Sequence, residues 1–325
     1  MTSGPTVFAG LDEAGLGPLL GPFCVGWCVL AAPRGTGDLW RLLDGAVTRT
    51  PGRGEARLLV DDSKRVHNGT ALGRARLEAT ALAFLRAGGC EAQSLRDLEQ
   101  TPSPELRPPA PLHEAQPWYA GAQALPAHAE AATLEAQTRA LEAALEGASA
   151  RVREAAVRIV GEQELNASFA HTQNKAASIW SWVGPIVVAL FERYGEEHLH
   201  LTLDRQGGRR RYGALLAAEL PFAEVRVRRE DREEAHLEVR EGERRMTLVV
   251  RPRAEESSLP VAVGSCLAKQ AREAAMEAFN AWFGRHQPGL PPTKGYVQDA
   301  RRWLQEAGPA LAAAGVPRAA LERTR

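Results

Sequence analysis

The sequence predicts an α/β protein: a mixed sheet flanked by helices, with a helical and proline-rich insertion. The chain opens with two apolar runs, TVFAGLD at 6–12 and FCVGWCVLAA at 23–32, joined by a Gly-Pro-rich segment typical of a hairpin-like start. Further on, HLHLTLD at 198–204 alternates, with three leucines on one face of a strand and polar residues on the other. Strands that alternate with helical segments indicate a sheet with helices packed on its faces.

The first half of the chain is largely helical after the two strands. Residues 68–89 carry apolar side chains at helical spacing and end in Gly-Gly. Residues 101–128 are rich in Pro and Ala without clear periodicity, which is typical of a loop or insertion. Residues 131–160 begin as a strong helix, whereas AAVRIVGEQEL near their end fits a strand or a helix equally well. Residues 174–195 predict an apolar helix bent at Pro185.

The second half alternates between strand and helix patterns. The predicted elements are helices at 209–220, 261–284 and 297–308, and strands at 224–230, 236–242 and 244–252 with Gly242 as a hairpin tip. At 325 residues the chain is near the upper size limit of one domain, so one elaborated domain or two are possible. We expect a single domain over 1–325, with an insertion over about 91–150 and a C-terminal loop and helices over about 280–325.

Composition excludes several classes of protein. A net charge of zero and a pI near 7.1 argue against a general nucleic-acid or membrane coat, although a local basic face is compatible with them. No apolar stretch is long enough to span a bilayer, and the start of the chain does not resemble a secretory signal. The four cysteines lack the spacing of a zinc site and are interpreted as reduced thiols of a cytoplasmic protein: Cys24, Cys28, Cys90 and Cys266.

Acidic residues follow three of the predicted strands. Asp12 and Glu13 end the first, Asp204 ends the strand at 198–204, and Glu255 and Glu256 follow the last strand. Hard divalent cations such as Mg²⁺ prefer oxygen ligands, and two such ions can clamp the oxygens of a phosphoryl transfer. A metal site is therefore one interpretation; the other is that these acids are simply polar loop residues at strand ends.

A glycine-rich turn follows the first acidic pair. Gly15 and Gly17 allow the chain to leave the strand abruptly, which both carboxylates need in order to reach one site. They also allow a phosphate or ribose to approach the backbone closely. A tight hairpin with no further role explains the same residues.

Four separated segments resemble the type 2 ribonucleases H (ribonuclease HII). They are GLDEAGLGPLLGP at 10–22, DDSKRV at 61–66, GSCLAKQARE at 264–273 and KGYVQDARRWL at 294–304. The resemblance implies a ribonuclease H-like fold and an endonuclease that depends on Mg²⁺ or Mn²⁺. It implies cleavage of RNA in RNA–DNA hybrids, or at a ribonucleotide in a DNA duplex, leaving 5′-phosphate and 3′-hydroxyl ends.

The resemblance also implies a role for particular residues. Asp12, Glu13 and Asp204 match the family's catalytic, metal-holding acids, and Glu255 stands where the family usually has Asp. The residues that match the family's nucleic-acid contacts are Ser63 and Lys64 beside the phosphates, Tyr296 on the sugar, and the backbone of Gly15, Leu16 and Gly17 at the 2′-hydroxyl.

Three positions depart from the family pattern. Leu16 stands where the family has Arg, which bears on single-ribonucleotide specificity. Glu255 is one methylene longer than Asp, and Glu273 replaces an Asp of the helix that begins near 261.

Four residues outside these motifs have two possible interpretations each. Arg205 and Arg209 are either a phosphate clamp or part of a solvated loop. Trp118 and Tyr119 are candidates for base stacking or for the core.

Three functions remain open from the sequence. The leading one is a metal-dependent ribonuclease H acting on a hybrid or ribonucleotide-containing duplex, with no membrane partner. The alternatives are a hybrid-binding paralogue impaired in catalysis, and a related nuclease that cuts branched or flap DNA. The sequence gives no indication of oligomeric state.

Overall fold

The structure is a computed structural model that describes residues 4–50, 52, 54–121 and 124–324. Its strands are β1 (Thr6–Ala14), β2 (Phe23–Ala32), β3 (Val47–Thr48), β4 (Leu58–Leu59), β5 (Arg151–Val160), β6 (Leu199–Asp204), β7 (Glu224–Glu230), β8 (Ala235–Glu241) and β9 (Arg244–Arg251). Within the described residues, seven of them form one sheet in the order β5-β2-β1-β6-β9-β8-β7, and β3 pairs with β4 separately.

Six of the described helices lie in segments predicted to be helical, and the others were not predicted. The helices are α1 (Leu39–Leu42), α2 (Ser63–His67), α3 (Ala71–Ala87), α4 (Leu95–Gln100), α5 (Leu112–Ala115), α6 (Ala131–Gly147), α7 (Glu162–Thr172), α8 (Lys175–Tyr194), α9 (Gly213–Glu219), α10 (Leu259–His286), α11 (Val297–Glu306), α12 (Gly308–Ala314) and α13 (Arg318–Leu321). Short 3₁₀ turns occur at Pro104–Leu106, Pro117–Tyr119, Gly195–Glu197 and Ala254–Glu256. Helix α8 continues through Pro185.

The sheet is mixed, as predicted. Strand β1 runs antiparallel to β2 but parallel to β6, and β6 runs parallel to β9. The carboxyl ends of β1, β6 and β9 therefore lie at the same edge of the sheet, where ligands bind in open α/β folds. Strand β7 lies at the sheet edge and is largely exposed, and Gly242 lies between β8 and β9.

The sheet is buried between helices on both faces. Strand β2 is buried along its whole length because alternate residues enter two different cores. Cys28 lies in the core cluster that contains Leu267 of α10, and Trp27 lies in the cluster that contains Val187 of α8.

Glycines let α10 approach the sheet closely. A side-chain carbon on Gly10 of β1 would collide with the backbone of Val261, and one on Gly26 of β2 would collide with the carbonyl of Gly264. The amino-terminal part of α10 therefore rests directly on β1 and β2.

The segment 91–150 packs into the core through α4 to α6. Trp118 and Tyr119 are only 1% and 3% exposed, so the interpretation of these two side chains as base-stacking groups is wrong. The ambiguous segment that follows is strand β5, whose last residues are buried on both faces. A strand buried on both faces lacks the alternation that separates strand from helix.

The cysteines are free thiols, with Cys24, Cys28 and Cys266 buried and Cys90 partly exposed. Over the described ranges, no helix combines the length with the apolar character that crossing a bilayer requires.

Candidate active site

The four acids singled out from the sequence line one cavity of about 320 Å³. Leu11 of β1 is in register with Leu203 of β6, so Asp12 and Asp204 are the next residues along two adjacent parallel strands. Glu255 lies in the 3₁₀ turn that directly follows β9. Residues more than 190 positions apart thus meet because the strands that carry them are neighbours.

Burial and neighbouring negative charges raise the pKa values of Asp12 and Glu13. Burial raises the pKa of Asp12 from 3.8 to about 7, with a further contribution from the negative charge of Asp204. Burial, followed by the charges of Asp12 and Asp204, raises the pKa of Glu13 from 4.5 to about 8. A pair of enclosed carboxyl groups with these values binds protons at neutral pH when no cation neutralises them.

The other two acids are held at the same edge. The Oδ1 atom of Asp204 accepts a hydrogen bond from the N–H of Ala254 at 3.1 Å, and burial nevertheless raises the pKa of Asp204. Burial also raises the pKa of Glu255, which is close enough to Asp204 and Asp62 to be affected by their charges. All four acids therefore favour the protonated form more than a solvated carboxyl group does.

These side chains suit a hard divalent cation by their chemistry. Carboxylate oxygens are the ligands that Mg²⁺ and Mn²⁺ prefer, and a bound cation would offset the repulsion among the acids. In the part of the chain that the structure describes, however, no three His, Cys, Asp or Glu side chains stand together as a finished set of metal ligands. The four carboxylates are ligands of the type that Mg²⁺ and Mn²⁺ prefer. In the described residues, however, they are not arranged in a coordination geometry for such an ion.

Two serines connect the acids to α2. Ser265 of α10 forms a side-chain hydrogen bond with Asp12, and its Oγ donates to the Oγ of Ser63 at 3.0 Å. Ser63 lines the cavity beside Lys64, whose positive charge lowers the pKa of Asp204. The close approach of α10 to β1 places Ser265 over Asp12.

The glycine turn forms one wall of the cavity. Gly15 has a φ of +87°, and a side-chain carbon there would lie 2.7 Å from the carbonyl oxygen of Pro22. Gly17 differs, because no atom lies within 4 Å of the position that a side-chain carbon would take. Among the described residues, the N–H groups of Gly15, Leu16 and Gly17 donate no hydrogen bond, and all three residues line the cavity. Tyr296 also lines the cavity and is 51% exposed.

The structure does not bring Arg205 and Arg209 into this cavity. The guanidinium of Arg205 donates to the carbonyl of Arg232 at 2.6 Å, which ties the end of β6 to the β7–β8 turn. The guanidinium of Arg209 donates to the carbonyl of Ala176 and lies 5.9 Å from the ring of Trp180. Both contacts stabilise the fold, and a role in nucleic-acid binding remains a prediction for these two residues.

Two residues in or beside the cavity were not predicted as site residues, namely Asp62 and Gln206. Asp62 is the N-cap of α2 and adds a further carboxylate to the lining. Gln206 is 2% exposed and its side chain forms a hydrogen bond with Glu13. Lys269 also lines the cavity and forms an ion pair with Glu273 at 2.6 Å. Gln206 could have been predicted as a site residue because it lies two residues after Asp204 in the sequence.

Comparisons with known proteins complete the description of the site. No family model and no curated protein matches the chain. Among solved structures, the chain is similar to ribonuclease HII from Archaeoglobus fulgidus, solved in a complex with PCNA, at 16% identity over 98% of this chain and 94% of that one, with a TM-score of 0.44. It is similar to ribonuclease H2 from Pyrococcus horikoshii OT3 at 15% identity over 97% and 92% of the two chains, with a TM-score of 0.41. It is also similar to Bst-RNase HIII in complex with Mn²⁺ at 14% identity over 96% and 66%, with a TM-score of 0.39.

Proposed function

We propose that this chain is a divalent-metal-dependent endonuclease of the type 2 ribonuclease H kind. Its substrate would be RNA in an RNA–DNA hybrid, or a ribonucleotide within a DNA duplex. The observation that carries the proposal is the meeting of Asp12, Glu13, Asp204 and Glu255 in one cavity, beside a glycine turn with unpaired N–H groups.

In this proposal the four acids hold the metal, which is Mg²⁺ or Mn²⁺. When bound, the metal supplies positive charge to the phosphate oxygens and lowers the pKa of an attacking water. Asp204 is kept in place for this task by the N–H of Ala254, and Asp12 by Ser265. The raised pKa values mean that metal and protons compete for the same carboxyl groups.

The remaining lining residues suit a nucleic-acid backbone. Lys64 adds a positive charge to the cavity lining, and the hydroxyl group of Ser63 adds a hydrogen-bonding group. The exposed ring of Tyr296 offers a flat apolar surface for a sugar. The unpaired N–H groups at 15–17 are donors for the 2′-hydroxyl, which is the chemical difference between RNA and DNA. Leu16 has no charge, so recognition at this turn relies on the backbone.

A panel of three duplexes of identical sequence tests the proposal. They are an RNA–DNA hybrid, a DNA duplex with one ribonucleotide, and an all-DNA duplex, each with Mg²⁺, with Mn²⁺ and with EDTA. We expect cleavage of at least one of the first two, with 5′-phosphate and 3′-hydroxyl ends, only when metal is present. The D204N variant should be inactive, and the matched control D44N, which changes an exposed carboxylate, should be fully active.

Other outcomes separate the alternatives. Hybrid binding without cleavage in either metal would favour an impaired paralogue. Cleavage of branched or flap DNA that contains no ribonucleotide would favour a structure-specific nuclease. Equal cleavage of the hybrid and the all-DNA duplex would contradict a role for the glycine turn in reading the 2′-hydroxyl.

A further inference from the structure

Three buried charged side chains from distant parts of the chain bind the backbone of the turn at 15–22. One of them, Arg272, also lines the cavity. We call this group the turn clamp; its members are Glu162 at the start of α7, Arg272 of α10 and Arg323 of the C-terminal segment. They are 0%, 1% and 5% exposed, respectively. Their polar groups bind the backbone of the turn rather than the solvent.

The members of the clamp act on different parts of the turn. Glu162 accepts from the N–H of Gly21 at 3.0 Å, and Arg272 donates to the carbonyls of Leu20 and Pro22 at 3.1 and 2.5 Å. Arg323 alone among these three reaches the first half, where its Nη1 donates to the carbonyls of Gly15 and Pro18.

The C-terminal segment is anchored so that Arg323 can make these contacts. The N–H of Arg323 donates to the carbonyl of Leu19 at 3.0 Å. The side chain of Asn166 on α7 binds the residues on either side, with its Nδ2 donating to Glu322 and its Oδ1 accepting from Thr324. Leu321, just before them, is fully buried. The last residues therefore form part of the support of the turn.

Peptide geometry links this support to the cavity. The C=O of one residue and the N–H of the next point in opposite directions across a planar trans peptide. When Arg323 binds the carbonyl of Gly15, the N–H of Leu16 has to point away from Arg323. Leu16 lines the cavity, whereas Arg323 does not. The orientation of an N–H expected to read the substrate is thus set by a guanidinium that substrate cannot reach.

We propose that Arg323 is a positioning residue for ribonucleotide recognition: it fixes the Gly15–Leu16 peptide so that the Leu16 N–H faces the 2′-hydroxyl. The inference rests on the proposed function and assigns to the C-terminal segment a part in substrate specificity.

Burial of Arg323 is costly, which indicates a role beyond stability. Its Nε and Nη2 atoms have no hydrogen-bond partner among the described residues. Burial and the nearby Arg272 lower its pKa to about 10, so it stays charged at neutral pH. Apolar side chains of similar size often stabilise a fold as well as buried charges do, and they lack the donors that orient a carbonyl.

The experiment compares R323M, R323K and the control R285M, which removes an exposed arginine at the far end of α10. The first readout is kcat/KM on the single-ribonucleotide duplex and on the hybrid, together with binding of the hybrid and the all-DNA duplex in Ca²⁺. We expect R323M to lose at least tenfold in kcat/KM and most of its binding preference for the hybrid. R323K should be intermediate, because lysine keeps the charge but not the forked donors. R285M should match the wild type.

The second readout is hydrogen–deuterium exchange over residues 15–22, which does not depend on activity. Faster exchange in R323M, with unchanged exchange in the β1–β6 core, would show that Arg323 holds the turn. Wild-type preference for the hybrid together with wild-type exchange in R323M would overturn the inference. If the wild-type chain shows neither cleavage nor a binding preference for the hybrid, the proposed function is wrong, and the role of Arg323 in ribonucleotide recognition is wrong as well. The exchange data then still show whether Arg323 orders the turn.

Discussion

The acid cavity and the turn clamp both contact the turn at 15–22, but their buried charges differ in how they are paired. In the cavity, like charges crowd together, and the pKa values of Asp12 and Glu13 rise to about 7 and 8. In the clamp, the Glu162 carboxylate accepts from the N–H of Gly21, the hydroxyl of Tyr119 and the amide of Gln116, while the arginines bind carbonyls.

The difference in how the charges are paired indicates that buried charge has a structural use in the clamp and a functional use in the cavity. The clamp pairs charged side chains with N–H and C=O groups of the turn and so fixes the backbone. The cavity leaves negative charge uncompensated, which is costly unless a cation or ligand completes it. Variants of the cavity acids should therefore affect activity without lowering stability, whereas variants of the clamp should lower stability, and R323M should lower activity as well.

The largest effect is expected from D12N. Removal of one acid should reduce hybrid cleavage about a thousandfold or more, because the metal loses a ligand. The melting temperature should stay the same or rise, because the substitution relieves repulsion among the acids. Cleavage assays and thermal unfolding of the same preparations test both parts. A large fall in melting temperature would show that Asp12 is a structural residue instead.

The opposite result is expected at the clamp. The E162A variant leaves buried donors without an acceptor and should lower the free energy of unfolding by about 3 kcal/mol. Its control is E192A, which changes an exposed glutamate of α8 and should alter stability by less than about 0.5 kcal/mol. Urea unfolding of both variants measures the difference, and equal stabilities would contradict the role of the clamp.

The pH dependence of stability should also distinguish the two regions. Asp12 and Glu13 have folded-state pKa values above the ordinary 3.8 and 4.5, so the folded chain binds more protons than the unfolded chain between about pH 4 and pH 8. Stability from these groups is present at low pH and is lost as pH rises through 7 to 8.

This effect can be isolated in the metal-free chain. Since one pKa unit corresponds to about 1.4 kcal/mol and both groups titrate over this range, we expect a loss of several kcal/mol between pH 5 and pH 8 relative to the D12N/E13Q double variant. Denaturant unfolding in EDTA at each pH measures it. Parallel pH profiles for the two proteins would show that the cavity acids are not perturbed.

The smallest effect is expected from a methyl group at the turn itself. G17A meets no neighbouring atom, so it should leave stability nearly unchanged. The methyl group would stand where a ribose is expected to approach, and cleavage should fall about tenfold. Comparison with G15A gives the matched control, since a side chain at Gly15 clashes with Pro22 and should lower the melting temperature. Unchanged cleavage by G17A would place the substrate elsewhere.

The sequence predicts the acid cavity better than the clamp, for a physical reason. Acids at strand ends are visible as patterns, and adjacent parallel strands then bring Asp12 and Asp204 together. The contact between Arg323 and Gly15 joins residues 308 positions apart, and no local pattern marks either partner for the other. Likewise, Trp118 lies in a proline-rich segment without periodicity, so its burial depends on tertiary packing alone.

Arg205 and Arg209, which follow Asp204, also have contacts that the sequence does not predict. The basic residues after Asp204 predict a phosphate clamp, and the structure shows in addition that Arg205 and Arg209 bind backbone carbonyls of neighbouring segments. The partner of a long, flexible side chain depends on which loops lie nearby. The sequence does not show which loops come close to one another in the fold.

Binding of Mn²⁺ by the four acids is the most direct test of the central claim, that they form one metal site. Calorimetric titration at pH 7.5 would compare the wild type with D12N, D204N and E255Q, using D44N as the control. The account predicts binding by the wild type and D44N with release of protons, and markedly weaker binding by each of the other three. Equal Mn²⁺ binding by the wild type and D204N would contradict it.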